Sequence, residues 1–99
     1  MDKNVHLPVF IIKSSYRKDV LLNLVKHPNQ TQSQIKEHTS PKYRSHMSRT
    51  MKELLDKELI SCYNPKDHAY KIYFPTELGV KIAEEVHSYG KPRIDKKDL

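Results

Sequence analysis

The sequence predicts a mainly α-helical chain with one small β-hairpin, in the order helix, helix, helix, hairpin, helix. Three observations carry this. Thr31 and Gln34 form a capping-box pair that announces a short helix, and a further helix start follows at Ser40 and Pro41. Two β-rich runs, "LISCYN" and "YKIYFP", bracket the turn-forming cluster "PKDHA". Apolar residues recur at helical spacing before, between and after these signals.

The first helix opens at Ser14 and Ser15, both candidate N-caps, and places Tyr16, Val20, Leu21, Leu24 and Val25 on one face. It should stop near His27, because Pro28 disfavours helical geometry at the residue before it. "HPNQ" is then a loop. The capping box starts a second helix over about Gln32 to His38. In the third, Ser40 is the cap and Pro41 takes the first position, where its missing N–H costs nothing. Tyr43, Met47, Met51, Leu54 and Glu58 recur as a stripe, so this helix is expected over 41–57 and the wing hairpin over 61–74. Thr76 caps the last helix, which lines up Leu78, Ile82, Val86 and Tyr89 and ends at Gly90. Two helices joined by a tight turn and followed directly by a hairpin make a winged helix-turn-helix. The expected organisation is an N-terminal extension over 1–13 that can serve as a dimer contact, the domain proper over 14–90, and a frayed tail over 91–99.

Composition narrows the function. Ninety-nine residues with 36% hydrophobic content suit one small core. The formal charge is +6 and the pI about 9.4, which favours a polyanionic partner. Residues 1–52 hold ten basic and three acidic side chains, whereas 53–99 hold eight and nine, so the excess lies in the first half. A single cysteine, Cys62, allows no internal disulfide and fits a reducing cytoplasm. It reads as a buried apolar thiol, with a redox switch through a dimer as the alternative. The longest apolar run, Val9 to Ile12, is far short of a membrane span, and no signal peptide is expected.

Outside its stripe, the third helix carries Lys42, Ser45, His46, Arg49, Lys52 and Glu53. All but Glu53 can contact DNA, and the N-terminal part of such a helix is the part that enters the major groove. Arg44 and Arg49 can bond guanine bidentately or clamp a phosphate, and Ser45 and His46 can reach base edges or phosphates. Tyr43 begins the stripe and is also kept among the contacts. Lys66, His68 and Lys71 lie at or near the wing turn, where they can touch the backbone or the minor groove. Tyr63, Tyr70 and Tyr73 read first as packing on the sheet and second as sugar or phosphate contacts. A solvated basic face with no ligand is the plain alternative.

Enzyme and metal readings find little. The six histidines, at 6, 27, 38, 46, 68 and 87, include no i, i+4 pair, and no cysteine pair accompanies them. With only two glycines there is no phosphate-cradling loop, and no nucleophile elbow frames a serine. No cofactor and no catalytic residue is expected.

"SHMSRTMKELLDKELISCYNP", followed by "YKIYFPTELGVKI", resembles the winged-helix transcriptional regulators of prokaryotes, especially the archaeal ones. The likeness runs from about Ser14 to Tyr89. It implies sequence-specific binding of double-stranded DNA by Ser45, His46 and Arg49, supported by Lys42 and Arg44, and it implies a homodimer. The dimer would pair through the apolar "VHLPVFII" segment, the last helix, or both, with packing on the chain's own domain as the alternative for each. A winged-helix module that binds protein or RNA within a larger complex is the alternative. Three positions depart from the pattern. Glu58 stands where the family usually has a glycine to stop the helix, which suggests a differently built joint. Leu55 replaces a usually charged residue and suggests contact with another segment or chain. Pro75 is inserted before Thr76 and should leave the last helix intact.

Overall fold

The computed structural model describes residues 6–39 and 41–90, without the side chains of 42–44 and 88–90. Helix α1 spans Leu7–Ile12, α2 Ser15–Lys26 and α3 Gln32–His38. A 3-10 segment, Pro41–His46, leads into α4, Met47–Asp56; strands β1, Ile60–Cys62, and β2, Tyr73–Pro75, then precede α5, Glu77–Gly90. The expected winged helix-turn-helix is the observed fold.

Helix α1 is the element the sequence did not announce. It has six residues and no side-chain cap, and its proline sits in the first turn, where no backbone bond is lost. Leu7, Pro8 and Ile11 are buried, so the segment expected to precede the domain contributes an inner face to its core. Val9 and Ile12 stay outside. Ser14 then caps α2 by accepting from the Arg17 amide at 3.3 Å. Helix α2 buries Val20, Leu21 and Leu24 and ends before Pro28 as expected. The capping box of α3 is present in full: Gln34 N donates to Thr31 Oγ1 at 3.2 Å, and Thr31 N to Gln34 Oε1 at 2.9 Å. Ile35 carries α3 into the core, and Thr39 Oγ1 donates to the Ile35 carbonyl at 2.9 Å.

The expected continuous helix over 41–57 is instead two pieces. Its first six residues wind as 3-10, and only from Met47 does the chain settle into α-helix. Pro41 brings no amide to the ladder, and the Tyr, Ser and His that follow have weak helical preference, so α geometry gains little over the tighter turn here. The expected Ser40 cap and the Tyr43 side chain lie outside the described residues. From Met47 onward the stripe holds, with Met47, Thr50, Met51 and Leu54 buried.

The joint after α4 corrects the expectation drawn from Glu58. Glu58 adopts φ 60°, the left-handed conformation itself, despite its side chain. Its amide donates to the Leu55 carbonyl at 2.9 Å and the Leu59 amide to the Leu54 carbonyl at 3.0 Å. These are the two bonds of a Schellman stop, and the residues at its ends, Leu54 and Leu59, are both fully buried. Packing at those leucines offsets a local cost of ~1–2 kcal/mol. Leu55 is half-buried against the core, so another segment of the same chain accounts for it.

The strands pair antiparallel with Ile60 opposite Pro75, Ser61 opposite Phe74 and Cys62 opposite Tyr73. On its other edge Tyr73 bridges Gln30, exchanging amide-to-carbonyl bonds of 2.8 and 3.1 Å. The wing is thereby tied to the entrance of α3. Thr76 caps α5, accepting from the Gly79 amide at 2.9 Å while its hydroxyl donates to the Glu58 carbonyl at 2.7 Å. Gly79 is required there, because a Cβ would collide with the Leu59 carbonyl oxygen. Helix α5 then buries Ile82, Ala83 and Val86 and packs on α1 and α2.

Candidate nucleic-acid interface

Burial of one face of α4 fixes what the other face can show. Ser45, at the end of the 3-10 segment, and Ser48, Arg49 and Lys52 on α4 are exposed. Arg49 makes no side-chain hydrogen bond or ion pair to a described residue. Lys52 lies 3.9 Å from Asp56, with both side chains largely in solvent. Such a pair is worth ~0–1 kcal/mol and does not withdraw the lysine. The backbone of Lys42, Tyr43 and Arg44 lies in the 3-10 segment; their side chains are outside the described residues.

His46 is placed differently from the outward position expected of it. Its ring is half-buried and stacked on Tyr16 of α2, with centroids 4.6 Å apart and an interplanar angle of 27°. It occupies the junction where 3-10 winding gives way to α-helix, so it braces the helix entrance more than it extends from it. Glu53 also has a partner. Arg17 Nε donates to its Oε1 at 3.1 Å and Arg17 Nη2 to its Oε2 at 3.4 Å. That hydrogen bond is the largest cause holding the Glu53 carboxyl below its ordinary pKa; desolvation opposes it, and the charges of Arg17 and Arg49 add to it. The carboxylate one helical turn beyond Arg49 is thus paired from within the fold.

The wing loop is organised by one carboxamide and one carboxylate side chain. Asn64 Nδ2 donates to the Tyr70 carbonyl at 2.7 Å, and Asn64 Oδ1 accepts from the Ile72 amide at 2.8 Å. Asp67 Oδ1 accepts from the Ala69 and Tyr70 amides, each at 2.8 Å, and these bonds lower its pKa although it is fully exposed. Asp67 is thereby engaged in shaping the turn. Lys66, His68 and Lys71 are exposed around it. Tyr73 is buried and Tyr63 stacks on Phe74 with centroids 4.1 Å apart, as sheet packing requires. Tyr63 is nonetheless 60% exposed, and Tyr70, which lies outside both strands, is 69% exposed.

Two features of the interface have no local signature in the sequence. Gln32 Nε2 on α3 donates to Ser48 Oγ on α4 at 3.2 Å, joining the two helices on their outer side. A cleft of about 240 Å³ separates the start of α3 from the wing, with Gln32, Ser33, His68, Tyr70 and Lys71 among its walls. Both depend on pairing between segments far apart in the chain. A second cleft, of about 350 Å³, lies between α2 and the end of α3 and includes Asp19, Lys26, His27 and His38. There the two imidazoles stack at 5.3 Å and His38 Nδ1 lies 2.8 Å from Gln30 Oε1. Among the described residues, no three His, Cys, Asp or Glu side chains gather as a metal site. No helix of the described residues is long and apolar enough to cross a membrane.

Turn-linked helices followed by a hairpin wing make a winged helix-turn-helix, and solved structures share this fold. The chain is similar in fold to a variant of Lactococcus lactis ZitR, with 22% identity, a TM-score of 0.66, and coverage of 86% of this chain and 57% of that one. It is likewise similar to a MarR family transcription regulator, at 18% identity and TM-score 0.64 over 92% of this chain and 67% of that one. A variant of S. aureus MepR gives 25% identity and TM-score 0.61 over 86% of this chain and 61% of that one. The chain therefore spans little more than half the length of ZitR. No family model matches the chain, and no curated protein does.

Proposed function

We propose that the chain is a DNA-binding transcription regulator, with α4 in the major groove and the wing on the backbone or minor groove. One observation carries the reading. Ser45, Ser48, Arg49 and Lys52 form an exposed row along the 3-10 segment and α4, whose other face is locked into the core, and Glu53, four residues on from Arg49, is already bonded to Arg17. The likeness to transcription regulators supports this reading and weighs against an enzyme. Ser45 and Arg49 are the proposed base readers, with Lys42, Tyr43, Arg44 and Lys52 beside them. Lys66, His68 and Lys71 supply phosphate contacts from the wing, and His46 acts by bracing the helix entrance.

The working unit is a homodimer. Val9 and Ile12, 52% and 44% exposed, form an apolar outer edge on α1, which packs against α5. A second copy placed on that edge, on α5, or on both would set two reading helices about 34 Å apart, for successive major grooves of a palindromic site. The motif from Ser45 to Pro65 favours an archaeal affinity, and a regulator of this kind works in the cytoplasm.

The test is an anisotropy titration of the chain against duplex DNA over a range of salt concentrations. The expected result is an affinity that falls linearly on a log–log scale with salt, with a steep slope from counterion release. Weak binding with no salt dependence would overturn the proposal. Capture of an RNA or a protein in place of the duplex would favour an interaction module.

A further inference from the structure

Arg49 and Glu53 stand four residues apart on α4, the spacing at which opposite charges on one helix reach each other. Left to local geometry, the guanidinium that faces solvent would be drawn to its own helix. The structure resolves this competition by bringing a second arginine from α2. Arg17, 36 residues away in sequence, takes both Glu53 oxygens, at 3.1 and 3.4 Å. Arg17 is itself held from the opposite side. Its Nη1 donates to the Phe10 carbonyl at 2.9 Å, and its guanidinium carbon lies 4.0 Å from the centroid of the Phe10 ring on α1. Both members of the pair are largely sheltered, with 22% of the Arg17 and 33% of the Glu53 side chain exposed. Arg49 is exposed and bonded to no described residue.

We infer that Arg17 is a positioning residue for nucleic-acid binding: by occupying the Glu53 carboxylate from within the fold, it keeps the Arg49 guanidinium available on the outer face. The inference rests on the DNA-binding reading above. It assigns a role to a residue that never touches the DNA, and to an acid that would otherwise oppose phosphate. The order of influences on Glu53 agrees, since the Arg17 hydrogen bond is the largest cause of its lowered pKa and the Arg49 charge the smallest.

Removing the Arg17 charge should release Glu53 to pair with Arg49. A four-residue helical pair shifts populations by only about twofold. The uncovered carboxylate adds repulsion toward phosphates at low ionic strength, so a total loss of about fivefold in duplex affinity is expected. The test compares the wild-type chain, Arg17→Gln, Glu53→Gln and the double variant by anisotropy at low salt, with circular dichroism to establish folding. Arg17→Gln should bind about fivefold more weakly, and adding Glu53→Gln should restore affinity to within about twofold of wild type. A merely structural staple would not be rescued, because the double variant leaves the α2–α4 bond broken. Should Arg17→Gln not fold, Arg17→Met keeps an unbranched stem against Phe10 and carries the same expectations. Unchanged binding by the single variant, or no recovery in the double, overturns the inference; a wild-type chain that fails to bind duplex overturns the DNA-binding reading instead.

Discussion

Helix α4 buries Met47, Thr50, Met51 and Leu54 and presents Ser48, Arg49 and Lys52, whereas the wing leaves residues 65–71 exposed and is shaped by the side chains of Asn64 and Asp67. Both regions offer cations to solvent. On α4 their positions are inherited from the core, because four buried side chains fix the rotation of the helix. In the wing they are inherited from a handful of exposed hydrogen bonds, each worth about 1 kcal/mol. A rigid element suits contacts whose direction matters, such as bidentate bonds to base edges; a loop held by local bonds suits phosphate contacts, which tolerate adjustment.

The comparison breaks most visibly if the core under α4 is hollowed. Leu54→Ala should destabilise the fold by ~2–5 kcal/mol in a thermal or denaturant melt, and DNA binding should be lost with it. Arg49→Ala, on the other face of the same helix, should leave the melt unchanged, weaken duplex binding by ~1–3 kcal/mol and relax the sequence preference at one position. If instead it unfolds the chain, the division of α4 into a packing face and a reading face fails. Glu58→Gly sharpens the contrast at the joint between the two regions. By relieving the left-handed conformation it should raise stability by about 1 kcal/mol, and a loss would mean that the Glu58 side chain contributes something its backbone does not show. The smallest effect belongs to the wing: Lys71→Ala should weaken binding to all duplexes alike and lower the salt slope by about 1, with no change in sequence preference.

Much of this arrangement is legible along the chain because its signals are local. The Thr31 and Gln34 capping box, the Pro28 stop, the Met47, Met51 and Leu54 stripe and the Thr76 cap each act within four residues, and each appears in the structure. What escaped the sequence is what distant segments decide. Helix α1 is too short to show a period and has no cap; it is helical because Leu7 and Ile11 find the core. The left-handed Glu58 follows from the burial of Leu54 and Leu59, which the residue itself does not reveal. The candidate site divides in the same way. Ser45, Arg49 and Lys52 are exposed as helical spacing requires. His46 turns to Tyr16, Glu53 to Arg17, and Gln32 to Ser48, through contacts that span 16 to 36 residues where hydrogen bonds record them.

The central claim is that the outer row of α4, together with the wing, is the surface that meets DNA. Backbone amide shifts measured by NMR during addition of a duplex test it most directly. The account predicts that the largest changes fall on Ser45, Ser48, Arg49 and Lys52, with a second group over residues 66–71. Changes confined to α1 and α5, with α4 and the wing unmoved, would contradict it.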